Sequence, residues 1–179
     1  MSTGRVMSAA RIERAEPLAG SDGGARTTVD VSRQSLSKTS GLDGLGEVNV
    51  ETSIQLCDEF GGHLPSGHAC GIGIGIGIVQ HMAPAAESWE WAVLAPRKLG
   101  EFLACKGSVA VNDVSLTVNR VIDAVDAAGV VGGRGFSMPI IPHTDQVTTL
   151  RQLRAGSCVN VESVLIARHV ERMPAAQRA

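Results

Sequence analysis

Aromatic residues are scarce in this sequence. They make up 3% of its 179 residues, and tyrosine is absent. Hydrophobic residues nevertheless reach 44%, so a core is possible, but it must rest on valine, isoleucine, leucine and alanine. A chain of this length is long enough for one ordinary domain or two small ones.

The sequence also lacks a strong charge of either sign, because its formal net charge is −2. Nothing in this balance indicates a nucleic acid or an acidic lipid surface as a partner. No apolar stretch reaches the length that a membrane span requires. The first residues are rich in Arg, Ser and Ala, as transit peptides are, but Glu13 and Glu16 argue against such a peptide because transit peptides avoid acidic residues.

Cysteines at metal-site spacing are missing as well. The four cysteines are Cys57, Cys70, Cys105 and Cys158, and none belongs to a C-x-x-C pair. Such pairs are the usual sign of a zinc site, so we expect no metal. The wide spacing fits a reduced chain, and we therefore expect a cytoplasmic protein.

Glycine and isoleucine, by contrast, alternate four times over residues 71–78. A period of two is typical of a strand, in which the isoleucines share one face and the glycines leave the other face bare. Glycine inside a strand often marks a close approach by another group. A phosphate-binding glycine loop would need a strand before it and a helix after it, and neither pattern is visible.

Short β-like segments dominate the rest of the chain, at a spacing typical of a barrel or a sandwich. The segments that we predict as strands are 4–13, 27–32, 47–52, 70–80, 88–95, 107–112, 115–122, 129–138 and 158–165. Two helices are predicted. One, at 96–104, has proline at a plausible first-turn position, and the other, at 165–173, has an apolar stripe that must be buried.

An internal repeat is present. The tetrapeptide VNVE occurs at 48–51 and again at 159–162. Each copy follows a turn that contains Leu and Gly, and each turn follows a Ser/Thr-rich bend. Repeats of this kind indicate duplicated domains. The copies are unequal, since the stretch KGSVAVNDVSLTV at 106–118 has no counterpart before the first VNVE.

Six stretches of the chain, in order, resemble the riboflavin synthase family of trimeric lumazine-binding enzymes. They are MSTG at 1–4, VNVE at 48–51, GGHLPSGH at 61–68, KGSVAVNDVSLTV at 106–118, IPHTDQVTTL at 141–150, and VNVE at 159–162 running on into IARHVERM. No single stretch is decisive, but the ordered set spans nearly the whole chain and is specific.

The resemblance implies an all-β fold of two six-stranded Greek-key barrels, of which the first is reduced here, and a C-terminal helix that helps to join three subunits. We accordingly expect a reduced lumazine-binding barrel at 1–56, a second barrel at 57–163, and a helix and tail at 164–179. The family's ligand lies between the first barrel of one subunit and the second barrel of its neighbour.

The resemblance also implies a transferase reaction. A four-carbon unit passes between two molecules of 6,7-dimethyl-8-ribityllumazine and yields riboflavin and a ribitylamino-pyrimidinedione, with no metal and no organic cofactor. Holding two flat rings face to face removes much of the entropic cost of bringing them together. The expected partners are this lumazine or riboflavin and two further copies of the chain, without nucleic acid or membrane.

Site residues follow from the resemblance, motif by motif. It implies catalytic roles for Ser115, Asp30 and His68, in which Ser115 activates a nucleophile or positions a carbonyl and Asp30 accepts a proton. It implies substrate contacts for nine further residues, namely Thr3, Gly4, Val6, Gly62, His63, Lys106, Thr117, Ile141 and Thr144.

Six of these residues also have a plainer interpretation. His63 and His68 are more often hydrogen-bonding props of a glycine turn than metal ligands, since further ligands are not evident. Ser115 and Thr117 alternate on one face, as ordinary strand residues do. Lys106 can be a surface lysine at a turn, and Asp30 can point to solvent.

The chain departs from the family pattern in four places. Ser2 stands where the family has an aromatic residue, Asn112-Asp113 where it has Asp-Gly, and Val164 where it has an aspartate, while the block that holds the first C-L-T motif is lacking. The reduced first barrel, Ser2 and Val164 favour a second hypothesis, a non-catalytic lumazine- or flavin-binding protein. A third is a truncated paralogue with little function. A Ser/His/Asp hydrolase is set aside because no G-x-S-x-G turn is present.

Overall fold

The structure, a computed structural model, describes residues 6–7, 10–17, 25–49, 74–125, 131–164, 166–167 and 170. Strands dominate these residues, which confirms the predicted all-β class. The strands are β1 Val6–Met7, β2 Ala10–Pro17, β3 Ala25–Val31, β4 Ile74–Ala85, β5 Ser88–Pro96, β6 Ser108–Val111, β7 Val114–Thr117, β8 Arg120–Val125, β9 Val131–Ile140 and β10 Cys158–Ser163. The helices are short: α1 Arg33–Leu36, α2 Arg97–Gly100, α3 Pro142–Val147 and a 3₁₀ helix at Thr149–Gln152.

The strands form two antiparallel sheets. The smaller sheet has the order β1-β2-β3, and the larger has the order β7-β6-β10-β4-β5-β9-β8. Strand β10, which carries the second VNVE, lies between β6 and β4. The larger sheet curls, because β7 at one edge also contacts β9 near the other edge. The two barrels, the domain boundaries at 56 and 163 and the C-terminal helix stay predictions.

One face of the larger sheet forms the core. Alternate positions on each strand supply it, as expected for a sheet with one buried face. The buried hydrophobic residues are Val79, Trp91, Val93, Ala95, Leu99, Leu103, Val109, Val111, Leu116, Val118, Phe136, Met138, Ile140, Leu150, Val159 and Val161. Only two of these residues are aromatic, so the core is as aliphatic as the composition predicts.

The glycine–isoleucine alternation belongs to β4, and its glycines face the core. Gly77 is buried, whereas Ile76 and Ile78 are 39% and 41% exposed. A Cβ atom on residue 77 would lie 2.8 Å from Val161 Cγ2 and 3.0 Å from Val93 Cγ1. Valines of the two neighbouring strands therefore fill the space that this glycine leaves, which confirms the close approach expected from the sequence.

The predicted strand 115–122 is in fact two strands, β7 and β8. Between them, Val118 N donates to Gly107 O at 2.8 Å, and Asn119 N donates to Ser137 O at 2.7 Å. The chain thus changes its partner strand within two residues. A period-two pattern contains no signal for such a change.

The predicted helix 96–104 begins where expected but is short. Helix α2 contacts β9, and Gly100 lies directly against Arg134, whose Nη1 donates to Gly100 O at 3.0 Å. After it the hydrogen bonds tighten to the i→i−3 type, as between Phe102 N and Leu99 O. The close contact with β9 therefore ends the helix after one turn.

Two other predicted elements lie only partly within the described residues. Residues 47–49 belong to no described strand, so the prediction of a strand at 47–52 is wrong for this part. Of the predicted helix 165–173, residues 166, 167 and 170 are helical. The remaining residues of both elements lie outside the described part of the chain. No helix among the described residues is long and apolar enough to cross a lipid bilayer.

Candidate functional site

Ser115 and Thr117 lie on β7, which forms a hairpin with β6. The turn consists of Asn112 and Asp113, whose φ angles are 47° and 64°. Two-residue turns with positive φ match the twist of the strands that they join. Asn and Asp are among the non-glycine residues that best tolerate this conformation. The hairpin therefore forms without the glycine that the family has at this turn.

Both hydroxyl side chains project from the face of the hairpin opposite the core. Ser115 pairs with Ala110 and Thr117 pairs with Ser108, while Leu116 between them is buried. Ser115 and Thr117 are exposed. Because hydrogen-bonded and non-hydrogen-bonded pairs alternate, the backbone groups of both residues face away from β6, toward the edge of the sheet.

Lys106 lies beside the end of β7 in an uncommon backbone conformation, with φ at 63°. Its N–H donates to Val118 O at 2.8 Å, and its Nζ donates to Asn119 Oδ1 at 3.2 Å. The side chain is exposed. Strained backbone of this kind is often found at functional sites, where the surroundings over-determine it. The fold thus brings Lys106, Ser115 and Thr117 together on one exposed edge.

The residues next to Ser115 across the sheet are buried. Ala110 of β6 pairs with Ser115 on one side and with Glu162 of β10 on the other. Ala110 is 2% exposed and Glu162 is 4% exposed. Beside Ser115, the exposed positions therefore lie on β7 and at the turn at Lys106, and the buried carboxyl group of Glu162 lies two strands away on the same face.

Ile141 and Thr144 belong to a second segment. Ile141 is the N-cap residue of α3 and is 54% exposed, and Pro142 follows at a position where proline favours a helix start. The Thr144 carbonyl accepts a hydrogen bond from Thr148 Oγ1 at 2.7 Å. Thr148 in turn caps the 3₁₀ helix, so the two short helices are joined by side-chain bonds.

Asn49 of the first VNVE connects the hairpin with this second segment. Its Nδ2 donates to Asn112 O at 2.6 Å and to Thr149 Oγ1 at 2.9 Å. Its Oδ1 accepts from Thr149 N at 2.9 Å. Sequence reasoning missed this residue, although the repeated VNVE was the signal that could have found it.

Asn160 of the second VNVE binds the first half of the chain in a similar way. Its Oδ1 accepts from Ser40 N at 2.7 Å, and its Nδ2 donates to Ser40 O at 3.0 Å. Its backbone N–H donates to Asn112 Oδ1, and its carbonyl accepts from Asn112 N, both at 2.8 Å. The hairpin turn is therefore held from two sides by the two copies of the repeat.

An ion pair lies next to Lys106. Arg120 Nη2 donates to Glu90 Oε1 at 3.0 Å, and this bond lowers the pKa of Glu90 below its ordinary value. Arg120 follows Asn119, the residue that binds Lys106. Within the described ranges, no three His, Cys, Asp or Glu side chains are placed together to hold a metal ion.

Several predicted site residues fall elsewhere. Val6 lies on β1 of the smaller sheet. Asp30 lies on β3, where it is exposed and pairs in register with Arg11. The residues that lie outside the described part of the chain are Thr3, Gly4, Gly62, His63 and His68.

Comparison with known proteins matches the chain to one family. The profile described as lumazine binding domain matches residues 70–163, a little over half of the chain. A riboflavin synthase of Actinobacillus pleuropneumoniae is 32% identical over 151 residues, which cover 81% of this chain and 62% of the relative. A riboflavin synthase of Photobacterium phosphoreum is 34% identical over 146 residues, 80% of this chain and 61% of the relative.

A riboflavin synthase of Mycobacterium bovis is 30% identical over 153 residues, 82% of this chain and 68% of the relative. The matched region covers about three fifths of the first two relatives, at 62% and 61%. The matched domain is a lumazine-binding one, and it contains the β6–β7 hairpin. The chain belongs to the riboflavin synthase family.

Proposed function

We propose that this protein is a riboflavin synthase-type transferase. It takes two molecules of 6,7-dimethyl-8-ribityllumazine and moves a four-carbon unit from one to the other, giving riboflavin and a ribitylamino-pyrimidinedione. The two substrates contain all the atoms of the two products, so the reaction consumes no oxidant or reductant, and we propose that it uses no cofactor.

One observation carries this proposal: the hydroxyls of Ser115 and Thr117 stand side by side on an exposed edge strand within the matched domain. A hydroxyl can donate to a ring carbonyl or accept from a ring N–H. The backbone groups of the same residues face away from β6, toward the edge of the sheet. This strand can therefore bind the polar rim of a flat heterocycle.

Lys106 completes this edge with a positive charge and three donors. Its Nζ donates to Asn119 Oδ1, and a change of rotamer would let it donate instead to the hydroxyls of a ribityl chain. Ile141, 54% exposed at the start of α3, offers an apolar surface for a ring face. In this scheme Ser115 positions a carbonyl or a nucleophile in one lumazine.

The second substrate molecule needs a second wall, which we assign to the first half of a neighbouring subunit in a homotrimer. Asp30 is the proposed proton acceptor there, and its exposure on β3 allows it to reach a ligand. We propose that Thr3, Gly4 and Val6 line this wall. His68 is proposed as a catalytic residue of the subunit that carries Ser115, where Gly62 and His63 also line the site. On this view the reduced first barrel at 1–56 and the second barrel at 57–163 meet between subunits.

A second candidate function is the binding of a lumazine or a flavin without turnover. The chain's match covers 62% of the first relative, and the described part of residues 1–56 forms a sheet of only three strands. A chain with one complete ligand wall can hold one heterocycle. It cannot hold two rings face to face, which the transfer of the four-carbon unit requires.

One assay separates the two functions. The purified chain is mixed with 6,7-dimethyl-8-ribityllumazine, and riboflavin is followed by its absorbance and fluorescence. Formation of riboflavin with time supports the transferase. A shift of lumazine fluorescence with no riboflavin supports the binding protein. If titration calorimetry detects no association with this lumazine or with riboflavin, both proposals are wrong.

A further inference from the structure

We propose that Asn49 is a positioning residue for the ligand site: its one carboxamide holds the hairpin that carries Ser115 and Thr117 at a fixed distance from the segment that carries Thr144. The proposal rests on the proposed function of that site. It assigns a role at the second-half site to a residue from the first half of the chain.

The carboxamide of Asn49 has few spare hydrogen-bonding groups. Its two Nδ2 protons go to Asn112 O at 2.6 Å and to Thr149 Oγ1 at 2.9 Å, while Oδ1 accepts from Thr149 N at 2.9 Å. A side chain that bridges two backbone segments in this way needs donors and an acceptor together. Aspartate has no donor, and serine is too short to reach both segments.

The hairpin turn is a place where such support has an effect. Asn112 and Asp113 both have positive φ, a backbone conformation that costs free energy for residues other than glycine. The bond from Asn49 binds the carbonyl at the centre of this turn. Ser115 lies three residues after Asn112, so a shift or a loosening of the turn changes the position of the Ser115 hydroxyl.

The second segment is fixed through Thr149. Thr149 N binds Asn49, and the preceding Thr148 binds the Thr144 carbonyl through its hydroxyl at 2.7 Å. A short chain of hydrogen bonds therefore runs from Ser115's turn through Asn49 to α3. Loss of the carboxamide uncouples the two walls without removing any atom that the ligand contacts.

Glu47 provides a matched control two residues away. Its Oε2 accepts from Arg151 Nη2 at 2.7 Å and from Gln152 Nε2 at 2.5 Å, so it holds the same 3₁₀ helix. Within the described part of the chain, its hydrogen bonds reach only this helix. Loss of Glu47 therefore weakens one anchor of the helix and leaves the hairpin turn untouched.

The experiment compares the full-length wild type with Asn49→Asp, Asn49→Ala and Glu47→Ala. Asn49→Asp keeps the acceptor for Thr149 N, removes both donors and places a carboxylate against Asn112 O. Two quantities are measured: amide hydrogen exchange of peptides covering 108–117 without ligand, and the Kd for 6,7-dimethyl-8-ribityllumazine. Both Asn49 variants should accelerate hairpin exchange and weaken binding by about tenfold, roughly the loss of one to two hydrogen bonds. Glu47→Ala should change neither quantity.

A rescue variant distinguishes positioning from general damage to the fold. In Asn49→Ala/Asp113→Gly, glycine adopts the positive φ without penalty, so the turn needs less support. This double variant should recover much of the affinity lost in Asn49→Ala, with Asp113→Gly alone as its reference. Recovery cannot be explained by a merely structural role of Asn49 elsewhere in the chain.

Any of three results overturns the proposal. The first is that hairpin amides exchange in Asn49→Asp at the wild-type rate. The second is that Glu47→Ala changes exchange and Kd as much as the Asn49 variants do, and the third is that adding Asp113→Gly to Asn49→Ala restores no affinity. If the wild type binds no lumazine, the proposed function fails and takes the ligand-positioning role with it. Faster hairpin exchange in Asn49→Asp would still establish the link between Asn49 and the turn, so the two failures can be told apart.

Discussion

Asn49 and Asn160 meet at a single residue. The Asn112 carbonyl accepts from Asn49 Nδ2 at 2.6 Å, and the Asn112 N–H donates to Asn160 O at 2.8 Å. The two asparagines hold equivalent positions in the two copies of VNVE, and each carboxamide binds a Ser or Thr of the opposite half. The repeat in the sequence is therefore a reciprocal contact in the fold.

This arrangement predicts that the two asparagines act together on stability. Asn49→Ala and Asn160→Ala should each lower the free energy of unfolding by about 1–3 kcal/mol, because each leaves half-buried backbone groups without a partner. Since both carboxamides tie the segment 40–49 to the second half of the chain, the double variant should depart from additivity by about 0.5 kcal/mol or more. Urea unfolding of the four proteins gives the coupling energy.

Glu47→Ala is the control for this cycle, because its exposed ion pair with Arg151 should contribute at most about 1 kcal/mol. Strict additivity of Asn49→Ala and Asn160→Ala would mean that the two carboxamides hold the segment 40–49 independently, and the predicted coupling would be wrong.

The core face of β4 gives a second stability prediction. Gly77→Ala places a Cβ at 2.8 Å from Val161 Cγ2 and 3.0 Å from Val93 Cγ1, and at 3.2 Å from Leu94 O. Overpacking of this kind should destabilise the fold by about 1–3 kcal/mol. In the matched change Gly75→Ala the nearest atom is Pro96 Cγ at 3.4 Å, an ordinary contact. Chemical denaturation should therefore show a loss at residue 77 and almost none at residue 75.

The outcome also tests the orientation of the strand. If Gly75→Ala were the more destabilising of the two changes, the register that packs Gly77 against Val161 would be incorrect.

Much of this fold could be predicted from local patterns. The alternation in β4 and β5 follows from the period of a strand, and the aliphatic core follows from the composition. The division of 115–122 into β7 and β8 could not be predicted, because it depends on the bond from Asn119 to Ser137, a residue distant in sequence. The early end of α2 likewise depends on Arg134, which lies on another strand.

The residues of the candidate site could be predicted from the sequence only in part. Ser115, Thr117 and Lys106 were named from motifs, and the structure places them on one edge. Asn49 was not named, because a carboxamide in a repeated tetrapeptide has no chemistry of its own to attract notice. Its role depends on its hydrogen bond to Asn112, which is 63 residues away in the sequence.

The hydroxyls of the edge strand should differ in their effect on turnover. Ser115→Ala should lower kcat/KM for 6,7-dimethyl-8-ribityllumazine by about tenfold or more, since it removes a group proposed to bind the reacting ring. Thr117→Val keeps the shape of the side chain and should weaken binding with a smaller effect on kcat. Steady-state kinetics measure both.

Gln80→Ala, an exposed change on β4, serves as the control with the sheet intact. Unchanged kinetics in Ser115→Ala, with the fold retained by circular dichroism, would remove Ser115 from the mechanism.

The ion pair near Lys106 predicts a pH effect with a defined sign. Arg120 lowers the pKa of Glu90 in the folded state, mainly through its hydrogen bond to the carboxylate. The pair therefore adds stability above the unfolded-state pKa, and this contribution is lost as the pH falls through the folded-state pKa. In Arg120→Ala the pKa of Glu90 should rise, so the contribution should be missing at neutral pH and the fall of stability toward acid pH should be smaller.

Carboxyl ¹³C NMR titration of Glu90 measures the shift. Arg97→Ala is the control, because Arg97 pairs at 3.9 Å with Glu101 and should leave Glu90 unchanged. Titration of Glu90 at the same pH in wild type and Arg120→Ala would contradict the assignment of its cause.

Two substitutions at Lys106 can separate the effect of its backbone conformation on stability from the effect of its side chain on ligand binding. Its φ of 63° favours glycine, so Lys106→Gly should be more stable than Lys106→Ala by about 1 kcal/mol. Both changes remove the ammonium group, which we propose binds the ribityl chain, so both should weaken lumazine binding to a similar extent. Thermal unfolding and fluorescence titration on the same two variants measure the two effects. If affinity followed stability, with Lys106→Gly binding as tightly as the wild type, the ammonium group would have no part in recognition, and the unusual backbone at this turn would serve only to start β6.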